Sequence, residues 1–99
     1  MAKPKQRYVE FDALNYRSKR DIKGYGGALD MGDHPRLWRF ETVITHVTKD
    51  GQRVQDKAFF RPSGKMMVTQ IAEFMTEELR KTELDNPPES VLVRAFILK

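Results

Sequence analysis

Between residues 37 and 61 the rings of Trp38, Phe40 and Phe59 are interleaved with the cations Arg53, Lys57 and Arg61 and the imidazole of His46. Rings offer faces on which unpaired bases stack, at about 1–3 kcal/mol each, while Lys and Arg follow the phosphates of a single strand. A second cationic group, Arg17, Lys19, Arg20 and Lys23, lies between Tyr16 and Tyr25. A basic segment of this kind can order on a polyanion or on a partner protein.

Other chemistries are poorly supplied. The chain has no cysteine, which removes disulfides, thiol catalysis and cysteine-ligated metals together and points to a reducing, cytoplasmic setting. Asp30, Asp33 and His34 form the one cluster of metal-ligand types, and their spacing matches neither a zinc site nor a calcium loop, so no metal or cofactor is expected. Ser18, Ser63 and Ser90 lack a neighbouring base with an orienting partner, so the chain is not expected to be an enzyme. Lys23-Gly24-Tyr25-Gly26-Gly27 has the glycines of a phosphate loop but neither the Walker nor the dinucleotide spacing. Pro62-Ser63-Gly64-Lys65 is the better anion candidate, because free amides at a helix start carry positive potential, although capping is its simpler role.

Charge follows the same division. The formal net charge is +4, and residues 1–25 hold seven cations against three acids, whereas residues 26–99 hold eleven of each. Counterion release from a polyanion rewards such an excess. No run approaches the roughly 18 apolar residues of a membrane helix, and the start has no apolar signal core, so no membrane partner is expected.

With 99 residues the chain is expected to form one domain over 7–99, preceded by a flexible N-terminus at 1–6. Residues 7–14 alternate as a strand, with Val9, Phe11 and Ala13 on one side. Residues 15–36 lose all periodicity and read as a long basic loop containing four glycines. Residues 37–48 and 53–60 alternate again around Lys49-Asp50-Gly51-Gln52, a hairpin signal. A two-residue Asp50-Gly51 turn pairs Val47 with Val54, Val43 with Ala58 and Glu41 with Phe60. Ser63 is the expected N-cap of a helix running from about residue 64 or 65 to 82, with Met67, Val68, Ile71, Phe74, Met75 and Leu79 as its apolar stripe. Asn86-Pro87-Pro88 ends that helix, and residues 90–98 read as a central strand buried on both faces. The expected fold is a small α+β domain with one amphipathic helix on an antiparallel sheet.

In that register Val43, Val47, Val54, Ala58 and Phe60 face the helix, and Trp38, Phe40, Ile44, His46, Phe59, Arg53, Lys57 and Arg61 share the opposite face. The expected function is therefore binding of nucleic acid, preferably single-stranded, by the aromatic and basic sheet face together with the basic loop. Two alternatives stay open. The same rings and arginines suit a protein-interaction module, such as a phage- or plasmid-type accessory protein that modulates a larger host enzyme. They also suit a second small core, covered by the chain itself or by a second copy in a homodimer.

Overall fold

The computed structural model describes residues 7–82 and 87–98. The segment expected to be a flexible N-terminus, residues 1–6, and Asn86 of the expected helix stop lie outside the described residues. The fold is α+β, with a five-stranded antiparallel sheet and one α-helix among the described residues, and that helix is too short and polar to cross a membrane.

The strands are β1 (Tyr8–Asp12), β2 (Lys23–Tyr25), β3 (Trp38–Val47), β4 (Arg53–Phe60) and β5 (Ser90–Ile97), in the spatial order β2-β1-β5-β3-β4. Central β5 pairs with both β1 and β3. The helix, α1, spans Val68–Lys81. Its Val68, Ile71 and Ala72 join a core with Val9 and Phe11 of β1, Trp38 and Phe40 of β3, and Val91, Val93 and Ala95 of β5. Burying each of the larger side chains contributes about 1.5–3 kcal/mol. The Thr76 hydroxyl donates to the carbonyl of Ala13 at 3.1 Å, pinning the helix to the end of β1.

Residues 15–36, expected as an irregular loop, carry structure of their own. A 3-10 turn at Lys19–Asp21 is closed by the Asp21 carboxylate, which accepts from the amides of Arg17 at 2.7 Å and Ser18 at 3.1 Å. These amide hydrogen bonds, Arg17's foremost, hold the Asp21 carboxyl below its ordinary range. Strand β2 then pairs with β1, and a second 3-10 turn at Leu29–Asp33 packs against it. The segment also feeds Tyr16, Ile22 and Ala28 into the core, which weak periodicity conceals. Its glycines have structural duties. A Cβ on Gly24 would collide with the Leu29 backbone, and Gly26 and Gly27 turn at φ 62° and 77°.

The helix starts later than expected, and Ser63 is not its N-cap. Arg36 and Met66 exchange backbone hydrogen bonds of 3.2 and 3.1 Å, keeping the chain extended up to Met67, the true N-cap. Pro62-Ser63-Gly64-Lys65 consequently does not sit at the helix terminus and has no helix dipole behind it.

The largest correction concerns the hairpin. Thr48 and Gln52 flank a three-residue loop, with the Thr48 amide donating to the Gln52 carbonyl at 2.8 Å and the Gly51 amide to the Thr48 carbonyl at 2.9 Å. Gly51 has φ 83° and, among the described residues, none other than glycine has positive φ, so Asp50-Gly51 is not a type I′ turn, which needs both residues there. The register is one residue away from the expected one: Val47 pairs with Arg53, Val43 with Lys57, Glu41 with Phe59 and Phe40 with Phe60. Because side chains alternate with period two, that single step exchanges the faces of β4 relative to β3.

Candidate nucleic-acid interface

The one-residue step divides the expected site. Trp38 and Phe40 point to the helix side, where they are 1% and 0% exposed. The Trp38 indole donates to the Met66 carbonyl at 2.7 Å, and Phe40 stacks on Phe60 with ring centroids 5.0 Å apart. Neither ring can receive a base, which corrects the expectation that they form a stacking platform with Phe59. Ile44 and His46 share their side of β3. His46 meets Asp56 of β4 at 3.8 Å there.

The opposite face carries no helix. It keeps Arg53, Lys57, Phe59 and Arg61 together at alternate positions along β4 and just beyond it. Phe59 is 63% exposed, the most exposed aromatic of the sheet. Three rings that the sequence reading did not select join this face: Tyr25 of β2, Tyr8 of β1 and Phe96 of β5. Tyr25 stacks on Tyr8 at 4.9 Å, Tyr8 contacts Phe96 at 5.3 Å, and the Arg39 guanidinium lies over Phe96 at 5.1 Å. The register explains the row, since Tyr8 pairs with both Tyr25 and Phe96, and Phe96 pairs with Arg39. β5 is thus covered on one face by the helix and on the other by cross-strand neighbours. The signal was present in the sequence, because Tyr8 alternates against Val9 and Arg39 against Trp38. It required the pairing partners to become a surface.

A second row runs parallel to the first. Arg94 donates to Glu10 at 3.0 Å and to Glu41 at 3.5 Å, and lies 5.6 Å over the Tyr8 ring. Hydrogen bonding to Glu10 raises its already high pKa, and burial opposes this only in part. This arginine stiffens the sheet and is committed to its carboxylates. Lys23 lies at the β2 end of the row and Phe59 at the β4 end.

The other expected phosphate contacts are distributed differently. Arg53 is held in a two-pronged fork by Glu89 at 2.9 and 3.1 Å, and the fork lowers the Glu89 pKa. Lys19 reaches across to Asp33 at 2.6 Å, beside a cleft of about 600 Å³ that Arg20 also lines. Arg17 lines a separate cleft with Glu73 and Glu77 of the helix. Of the four expected phosphate contacts in the basic loop, only Lys23 therefore belongs to the open sheet face. At the far corner, Arg39, Phe59, Phe60 and Arg61 line an open cleft of about 600 Å³. No group of three or more potential metal ligands occurs among the described residues.

Comparison of the chain with protein-family models, curated proteins and solved structures returns no match.

Proposed function

We propose that this protein is a non-enzymatic module that binds single-stranded nucleic acid across the uncovered face of its sheet. The observation that carries the reading is the row Tyr25, Tyr8, Phe96 and Arg39, flanked by the exposed Phe59 and by Lys23, Lys57 and Arg61, which form no ion pair among the described residues. Exposed rings at the two ends provide stacking surfaces, and cations between and beside them provide phosphate contacts. Trp38 and Phe40 have no part in it. The carboxylates Glu10 and Glu41, which would repel a polyanion, are each within 3.5 Å of Arg94, which offsets part of their charge.

Fluorescence anisotropy of a labelled single-stranded oligonucleotide tests the reading. Phe59→Ala is expected to weaken binding about tenfold, the loss of one stacked base. Raising salt from about 50 to 200 mM should weaken it further, with a log–log slope of about −0.7 per phosphate contacted. Binding that ignores both changes would remove the proposal.

The accessory-protein reading also has one specific support. β4 is a sheet edge exposed along nearly its whole length, with Val54 44% and Phe59 63% exposed, so a strand of a partner could add to it. Against this stand Asp56 and Lys57 in the middle of the edge, which discourage strand addition. A salt-insensitive complex with a protein would favour that alternative. Concentration-dependent sedimentation would instead reveal a homodimer.

A further inference from the structure

The corner cleft formed by Arg39, Phe59 and Arg61 has features that a general phosphate-tracking surface does not need. Arg61 follows β4 by one residue, and continuing the Phe40–Phe60 register sets it opposite Arg39. Like charges directly opposite on a sheet disfavour folding. No carboxylate approaches either guanidinium within ion-pair distance among the described residues, although Arg53 and Arg94 both have such partners. The Arg39 Nε is buried without a hydrogen-bond partner, and its guanidinium is fixed over Phe96 at 5.1 Å. Two guanidiniums that line one cleft without a carboxylate partner among the described residues, beside a ring that is 63% exposed, call for a ligand with a doubly charged oxyanion next to an aromatic base.

We infer that this cleft binds the terminal phosphate of a nucleic-acid strand, with the terminal base stacked on Phe59. The inference rests on the proposed sheet-face binding and adds recognition of a strand end to it. An internal phosphodiester carries one negative charge, whereas a terminal phosphomonoester carries about −1.5 to −2 at neutral pH and presents three acceptor oxygens. Two arginines discriminate between these by charge and by hydrogen-bond number. The location agrees, because the cleft lies at the end of the aromatic row, on the outermost strand.

The test compares three oligonucleotides of one sequence, bearing a 5′-phosphate, a 3′-phosphate, or hydroxyls at both ends. One phosphorylated probe is expected to bind about tenfold more tightly than the hydroxyl probe, the equivalent of one charge-assisted hydrogen bond. Arg61→Ala should bring that ratio close to one, and Arg39→Lys, which keeps the charge without the fork, should reduce it. Lys57→Ala should weaken all probes alike and preserve the ratio. Trp38 emission verifies that each variant is folded. Equal binding of all three probes by the unaltered protein would overturn the strand-end site and leave sheet-face binding standing. A preference that survives both arginine substitutions would also overturn it. Failure of every probe to bind would overturn both readings.

Discussion

Trp38 and Phe59 are both large aromatics of one hairpin, yet their surroundings give substitution opposite meanings. Trp38 is 1% exposed and hydrogen-bonded, so Trp38→Ala leaves a cavity and removes one of the two hydrogen bonds that the Met66 carbonyl accepts. Such a change costs about 3–5 kcal/mol, a large share of the roughly 5–15 kcal/mol that stabilises a domain. Phe59 at 63% exposure makes few contacts to lose, and Phe59→Ala should alter stability by no more than about 0.5 kcal/mol. Urea denaturation of the two variants checks this, and similar losses in both would contradict the burial described here. The contrast also changes what Trp38 can report. Enclosed by Phe40, Met66 and the helix, the indole monitors the core and should not be quenched by a base on the far face. At this scale the sequence grouped Phe59, Lys57 and Arg61 on one sheet face away from the helix, where the structure also has them. It placed Trp38 and Phe40 on the wrong surface, because residue type alone does not distinguish a ring that stacks on a ligand from one that stacks on a neighbour.

At the scale of elements, one glycine decides which residues meet. Gly51, at φ 83°, completes a three-residue loop whose first two residues keep negative φ. A Cβ in that conformation costs about 1–2 kcal/mol, and Asn tolerates it better than Ala. Gly51→Ala should therefore lower stability by about that amount and Gly51→Asn by clearly less, as thermal unfolding would register. Equal effects would mean that the loop relaxes to another turn. Asp-Gly satisfies both the two-residue and the three-residue loop, so the strands were legible while their register was not. The residue that breaks the tie is Phe60: opposite Phe40 it stacks against the core, whereas opposite Glu41 it would bring a carboxylate to the same face. The α+β class, the hairpin, the helix and the central position of β5 followed from periodicity. β2 did not, because a three-residue strand containing a glycine has no period to detect. The helix start was misplaced for a related reason: the Arg36–Met66 bridge is a long-range contact that overrides the local capping preference of Ser63.

For the whole molecule, the separation of its exposed rings matters more than their number. Tyr25 on β2 and Phe59 on β4 occupy opposite edges of the five-stranded sheet, four strand intervals apart. At about 4.8 Å per interval that is roughly 19 Å, too far for a single nucleotide to touch both rings. A strand long enough to span the sheet gains the second ring as an intramolecular contact, and the local concentration of that ring then enhances the affinity. The expected behaviour is a steep rise in affinity with oligonucleotide length until both edges are reached, followed by a plateau. Replacing Tyr25 by Ala should lower the plateau and leave the shortest probes unaffected, provided these bind at the Phe59 corner. The balance of charge makes the same prediction from another direction. Arg53 and Arg94 are already paired, so the cations left to meet phosphate on this face are few and lie mainly near its edges. The salt slope should consequently stop increasing with length when affinity does, at a value near −2 to −3 for three or four phosphates. A slope that continued to grow with probe length would describe diffuse attraction to a +4 protein and would argue against a defined path across the sheet.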